Sequence, residues 1–318
     1  MVTERHARFV ASTPGSIGNL GPGLDVVGCA IAGLRDEVVA EWWDAPGVTV
    51  LDPGHADLPR AATRHAAAIA SAAVSFAAGR HGVVAPAPGI ALTVRKGLPL
   101  SGGQGGSAAS AVAGAVATNA LYGDVLDVNA VLECCLVAEA KVAARHLDNI
   151  APALFGGITL IRCIDPIDII RLPVPAKLRI ILVHPAQRLS TSMARRALPK
   201  LVPLSDVTHQ LAQVGAMIAA CYTNDVGLLG RAIDDRIAEP ARAPMIPGFM
   251  EAKRAAMAAG ALGASISGAG PTAFALSDDA DVAQRIARAM SEAYSVLGIE
   301  CTATVTEVDV EGTTVRRL

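Results

Sequence analysis

Three elements in immediate succession constrain this chain more than anything else in it. Residues 90–94 form a β-branched run typical of a strand, residues 98–109 read LPLSGGQGGSAA, and small residues then continue to Tyr122. A strand that ends in glycines and restarts as a helix leaves the first N–H groups of that helix free, and the helix dipole adds partial positive charge there. Such a turn is suited to holding a phosphate, because glycine lets the backbone approach the anion closely. Gly102, Gly103, Gly105 and Gly106 provide that approach, no charged residue occurs between residues 97 and 123, and Ser107 offers a hydroxyl at the helix start. The loop is not a Walker A motif, since no Gly-Lys-Ser/Thr follows, and its spacing does not fit GxGxxG. Taken alone it leaves a second reading open, a flexible turn before a small-residue helix.

Alternation and β-branching predict further strands at 8–13, 37–43 and 47–51. Helices are predicted over 60–78, 107–122 and 128–145, the last starting behind Asp127 as N-cap. After the strand-like GITLIRC ending at Cys163, Pro166, Pro173 and Pro175 fall within one short stretch, which reads as an exposed crossing between domains. The expected domains are therefore 1–165 and 166–318. The second is expected to hold a strand at 178–184, several helices, paired strands around GAGP (268–271), a helix and a last strand at 301–308. That order suggests an α+β sandwich of ferredoxin-like kind.

The 27 Lys and Arg nearly balance the 29 Asp and Glu, so no field of one sign is available for nucleic acid or an anionic membrane, and a small-molecule partner is expected. Six cysteines form no CxxC pair, which suits reduced thiols in the cytoplasm. The uncharged stretch 97–123 retains only about 15 helical residues after its glycines, short of the roughly 20 a bilayer span requires. The first residues, MVTERHARFV, lack the apolar core of a signal peptide.

Two more signatures accompany the loop: PGSIGNLGPGLDVVG (14–28) and SISGAGPTAFAL (265–276). Together the three resemble the GHMP kinase superfamily, whose central motif is close to PxxxGLGSSAA. The corresponding stretch here is Pro99-Leu100-Ser101-Gly102-Gly103-Gln104-Gly105-Gly106-Ser107-Ala108-Ala109. Within the superfamily the sequence is most similar to the homoserine kinase family. SIGNLGPGLDVVG resembles its SANLGPGFDxxG segment and RHLDNIAPALFGG (145–157) its HxDNVAPAxxGG segment. STSMARRALP (190–199) resembles T-x-x-AR-x-x-LP, and DRIAEPARAPMIPGF (235–249) resembles D-x-x-x-EP-x-R-x-x-x-IP. Gln104 stands where the family has Leu, and Gly106 where it has the first of two serines; both departures fall in the phosphate loop.

The resemblance implies a two-domain α+β fold: a mixed α/β N-terminal domain like domain 2 of ribosomal protein S5, then a ferredoxin-like C-terminal domain, with ATP and substrate between them. It implies that residues 99–109 bind the nucleotide, and that Ser107 and Glu139 hold Mg²⁺. Glu133 is the rival acid on the same helix, but Glu139 lies closer to the family spacing. It further implies that Asn19 and Asp25 meet the ammonium end of an amino acid, where a carboxylate would reject analogues lacking the amine. Arg195 and Arg242 would bind the carboxylate through their planar forks. Asn149 reaches the substrate, Gly268 and Gly270 border it, and Thr191 faces the reacting hydroxyl, with Thr191, Asn149 and Arg195 as the catalytic set. Asp148 is read as a brace for its loop and His146 as structural.

The activity implied is transfer of the γ-phosphoryl of ATP to the side-chain hydroxyl of L-homoserine, a step of threonine biosynthesis, by a cytoplasmic homodimer. Alignment and charge neutralisation can supply most of such a reaction without a strong base. Two alternatives stay open: a GHMP kinase for another alcohol, mevalonate-like or shikimate-like, and a non-catalytic metabolite-binding member.

Overall fold

The first six strands build one sheet, the next four build a second, and the last strand returns to the first. The computed structural model describes residues 4–142 and 144–318. The chain runs through β1 (Arg8–Gly18), β2 (Val27–Trp43), β3 (Gly47–Asp52), α1 (Ala66–Arg80), β4 (Gly89–Arg95), α2 (Gly106–Leu121), α3 (Val128–Val142), α4 (Ile150–Phe155), β5 (Ile158–Ile164) and β6 (Ile167–Leu172). Then follow β7 (Arg179–Pro185), α5 (Thr191–Arg196), α6 (Leu204–Thr223), α7 (Val226–Arg231), α8 (Ala238–Arg242), a single 3₁₀ turn (Ala243–Met245) and α9 (Phe249–Ala258). The last elements are β8 (Gly263–Ile266), β9 (Ala273–Ser277), α10 (Ala280–Val296), β10 (Cys301–Thr306) and β11 (Thr314–Arg317).

The first sheet has seven strands in the order β11-β1-β2-β4-β3, with β5 and β6 continuing from the other end of the long strand β2. Among the described residues, only β3 and β4 pair in parallel. The second sheet is antiparallel in the order β10-β7-β9-β8. Numbered by sequence this is 4-1-3-2, the ferredoxin-like arrangement expected from the element order. Asp127 caps α3 as anticipated, its Oδ1 accepting the Ala130 N–H at 2.8 Å.

The sheets do not divide at residue 165. β6 pairs with β5 along residues 167–172, so the first sheet continues through the segment read as an exposed crossing. Pro166 lies in the turn before β6, while Pro173 and Pro175 follow it, so none costs a ladder hydrogen bond. The chain also returns to the first sheet at its end, where β11 pairs with β1.

Helix α2 is buried on nearly every face, between α1, α3 and strands β1 and β2, which is why it is built from Ala, Gly and Ser. Its N-terminus points at the turns joining β1 to β2 and β8 to β9. All six cysteines are free thiols. Among the described residues, no helix is long and apolar enough to cross a membrane.

Candidate active site

A cleft of about 470 Å³ opens where three turns converge: residues 19–26 after β1, the glycine loop before α2, and residues 267–271 between β8 and β9. The pairing of β1 with β2 shifts register between Pro14 and Gly15, where residues 32–34 of β2 drop out of the ladder with β1. Ser16 N–H then donates to Gln104 O at 3.1 Å.

At the α2 end, Gly105 is the N-cap with φ 68°, and no side chain caps the helix. There is no acid in the first turn either. The uncapped N–H groups therefore face the cleft without competition, the state in which a helix start attracts an anion. A Cβ at Gly105 would stand 2.1 Å from Ser16 Oγ, so both conformation and space demand glycine. Behind the loop, Lys96 Nζ pairs with the fully buried Asp36 and donates to Gly106 O at 2.9 Å and Ser110 Oγ at 3.0 Å. Asp36 Oδ1 accepts the N–H groups of Gly97 and Leu98, both at 3.1 Å. From the second sheet, Ser267 Oγ donates to Gly103 O at 2.6 Å and Thr272 Oγ1 donates to Gly102 O. The loop is thus held from both sides, and every bond behind it is internally satisfied.

The opposite end is built from charged side chains. Arg195, on α5, donates from one guanidinium nitrogen to both oxygens of Asp25, at 2.7 and 2.6 Å. Asp25 has φ 61°, and its N–H donates to Asn19 Oδ1 at 3.1 Å. Asn19 in turn donates from Nδ2 to Gly268 O at 3.2 Å. Arg242 is 4% exposed and makes no ion pair among the described residues; its Nη1 donates to Gly268 O at 2.8 Å. Burial lowers its pKa, with the charges of Asp25 and Asp235 opposing. The surrounding motif explains how α8 is fixed. Asp235 accepts the N–H groups of Ile237, Ala238 and Glu239, while Glu239 pairs with Lys253 and accepts Ser265 Oγ at 2.6 Å.

Between the two ends lies a buried acid pair. Glu139 is 4% exposed, its Oε2 has no hydrogen-bond partner, and His146 Nε2 stands 4.0 Å from Oε1. Burial pushes the Glu139 carboxyl up to about 7, with the His146 charge opposing and Asp148 adding to the rise. For His146, burial lowers the pKa, but the hydrogen bond and charge of Asp148, 2.6 Å from Nδ1, together with Glu139 and Asp25, push it up to about 9. Asp148 Oδ2 also accepts the Asn19 N–H at 3.1 Å, which is the bracing role anticipated for it. Asp25, His146 and Asp148 place ligand-capable atoms within 4.8 Å of one another. Arg195 already pairs with Asp25 of that cluster, whereas the orphaned oxygen of Glu139 fits a cation. Glu133, the rival acid, is exposed.

Of the residues singled out by sequence, Asn19, Asp25, Pro99 to Gly103, Gly105 to Ser107, Glu139, Asn149, Thr191, Arg195, Arg242 and Gly268 line this one cleft. Four do not. Ala108 and Ala109 are fully buried in the packing of α2. Gly270 faces Ile246, where a Cβ would come within 2.5 Å of it. Gln104 is buried and reaches Thr272 Oγ1 at 3.4 Å, so this departure from the family pattern lies at the joint between the sheets rather than over the loop. Asn149 Oδ1 accepts Ser16 Oγ at 3.0 Å. Lys96, Asp57, Arg64 and Arg188 also line the cleft and were not anticipated; Lys96, immediately before the loop, was the one legible as a charge beside an uncharged run.

Comparison with known proteins identifies the family. The family described as the GHMP kinases N terminal domain matches residues 66–157, and that described as GHMP kinases C terminal matches residues 217–296. The homoserine kinase of Chlorobium phaeobacteroides (strain BS1) is 38% identical over 89% of this chain and 90% of its own. That of Arabidopsis thaliana is 39% identical over 93% of this chain and 81% of its own. The crystal structure of homoserine kinase from Cytophaga hutchinsonii superposes with a TM-score of 0.90 at 36% identity, covering 99% of both chains.

Proposed function

Since the chain belongs to the homoserine kinase family of the GHMP kinases, we propose that its cleft transfers the γ-phosphoryl of ATP to the side-chain hydroxyl of L-homoserine. One observation supports the acceptor most directly: a buried, unpaired Arg242 stands beside the Asp25–Arg195 pair, facing an uncapped helix start across the cleft. An amino acid brings one ammonium and one carboxylate. Asp25 takes the ammonium, which frees Arg195 to join Arg242 on the carboxylate. The Asp25–Arg195 pair is partly exposed and therefore weak, about 0–1 kcal/mol, so the zwitterion can exchange into it at little cost. The stranded charge of Arg242 gains a partner in the same step.

The remaining residues orient the reaction. Free N–H groups of the glycine loop and α2 hold the phosphates, while Asn149 and Thr191 face the acceptor hydroxyl. Glu139 and Ser107 would hold Mg²⁺, which when bound neutralises phosphate charge. Asp148 Oδ2 accepts the Asn19 N–H and its Oδ1 lies 2.6 Å from His146 Nδ1, so we assign no general base, and in-line alignment carries the step. The product, O-phospho-L-homoserine, feeds threonine biosynthesis. We place the enzyme in the cytoplasm, where six free cysteines stay reduced, and propose a homodimer from the family likeness.

ADP release measured with L-homoserine, mevalonate and shikimate tests this reading. Turnover with homoserine alone is expected. Preference for either other alcohol would reassign the acceptor, and ATP binding without turnover of any would make the chain a metabolite-binding member.

A further inference from the structure

The phosphates of ATP carry several negative charges, and the glycine loop offers them only N–H dipoles. The cleft's side-chain cations are mostly engaged elsewhere. Lys96 is tied to Asp36, His146 to Asp148 and Arg195 to Asp25, and Arg242 is buried at the acceptor end. Arg188 differs from all of them. It sits in the segment between β7 and α5, three residues before Thr191, and crosses the cleft mouth to pair with Asp57 of the β3–α1 loop at 2.7 Å. Both partners are well exposed, 68% and 50%, so water and salt weaken the pair and leave the guanidinium free to change partners. Arg188 also lines a second cavity of about 430 Å³ together with Lys96, Pro99 and Leu100, which puts it against the phosphate loop and gives it room to turn. Arg64, also an exposed arginine of the cleft, does not line that cavity.

We propose that Arg188 is a nucleotide-recognition residue: on ATP entry its guanidinium leaves Asp57 and pairs with the phosphate chain over the glycine loop, Asp57 being its resting counter-ion. The proposal rests on the reading of the cleft as an ATP site. A guanidinium suits the task because its planar fork can grip two phosphate oxygens at once. Release from Asp57 also removes a contact that joins the two halves across the mouth, so nucleotide entry and the position of the Thr191 segment become linked.

Direct titration of MgATP and of adenosine, without homoserine, into the wild type, Arg188→Met and Asp57→Asn tests this. Arg188→Met should weaken ATP about tenfold or more, the scale for losing a charge-assisted pair, and leave adenosine unchanged. Asp57→Asn should bind ATP as tightly as wild type or more tightly, because a competing partner is gone. Arg188→Lys should recover part of the loss. A contact that merely holds the mouth together predicts the same defect in both variants, for ATP and adenosine alike; that result, or normal ATP binding by Arg188→Met, would overturn the proposal. Wild-type protein that binds ATP but does not phosphorylate homoserine would overturn the acceptor assignment alone.

Discussion

The two ends of the cleft solve the problem of binding an anion in opposite ways. The phosphate end is made of backbone, and the ion pair that braces it, Lys96–Asp36, is buried with each partner bonded several times. The acceptor end is made of side chains, and it is incomplete: Arg242 lacks a carboxylate and Arg195 borrows Asp25, while Glu139, between the two ends, keeps an orphaned oxygen. A backbone site is rigid and tolerates no added atom. A side-chain site stays unsatisfied until its ligand arrives, so it discriminates by charge.

If that contrast is right, the largest defect comes from adding atoms to the backbone end. Gly105→Val would force a branched side chain into φ 68° and place its Cβ 2.1 Å from Ser16 Oγ. The N-cap must then move, and kcat/KM for ATP should fall on the order of 10³, the effect of losing several preorganised donors together. Thermal stability should drop by about 1–3 kcal/mol. Gly105→Ala should show the same pattern more mildly. Unaltered ATP titration by folded Gly105→Val would break the comparison at its root.

The same contrast explains what was readable in the sequence. Glycines at a strand–helix junction mark a backbone site by themselves, and Gly102, Gly103 and Gly105 to Ser107 line the cleft, while Gln104 does not. Ferredoxin-like order was also legible, because strand and helix periods alternate clearly after residue 178. Side-chain partners were not. Arg188 meets Asp57 across 131 residues, and Lys96 meets Asp36 across 60, and no local pattern carries such pairings. β6 and β11 were missed for a related reason: β6 is short and flanked by prolines, and β11 is a four-residue edge whose partner β1 begins about 300 residues earlier. Neither has a hydrophobic alternation strong enough to stand without its neighbour.

At the acceptor end the next effect is Arg242→Leu. The lost group is buried and its ligand's carboxylate would be left unpaired in a dry site, so kcat/KM for homoserine should fall about 100-fold, or about 3 kcal/mol. ATP affinity should stay within twofold, which would separate the two ends kinetically. Normal homoserine kinetics in a folded variant would remove Arg242 from the site.

Asp25→Asn acts on selectivity more than on rate. The neutral amide no longer attracts the ammonium, and Arg195 loses its resting partner, so preference for homoserine over its des-amino analogue should shrink roughly tenfold. Comparing kcat/KM for the two alcohols measures this. An unchanged ratio would place the ammonium elsewhere.

The smallest effect is graded by pH and ties the two ends together through Glu139. Its carboxyl is pushed up to about 7 by burial, against 4.5 in an ordinary setting, so it is half protonated near neutral pH. A cation can be held only by the carboxylate. The Mg²⁺ concentration for half-maximal velocity should therefore rise about tenfold per unit as pH falls below 7 and level off above it. Stability of the metal-free protein should run the other way. Between pH 4.5 and 7 the folded chain keeps a proton that the unfolded chain releases, so stability is greatest below 4.5 on this account and declines as pH rises. His146, raised from 6.5 to about 9, extends that decline, since its stabilising charge is fully present below 6.5 and lost as pH passes 9. Glu139→Gln should abolish the pH dependence of the Mg²⁺ requirement and leave the KM for homoserine nearly unchanged. Melting curves and Mg²⁺ titrations between pH 6 and 8 test both slopes together. A flat Mg²⁺ requirement in the wild type would show that the orphaned oxygen of Glu139 is not where the metal binds.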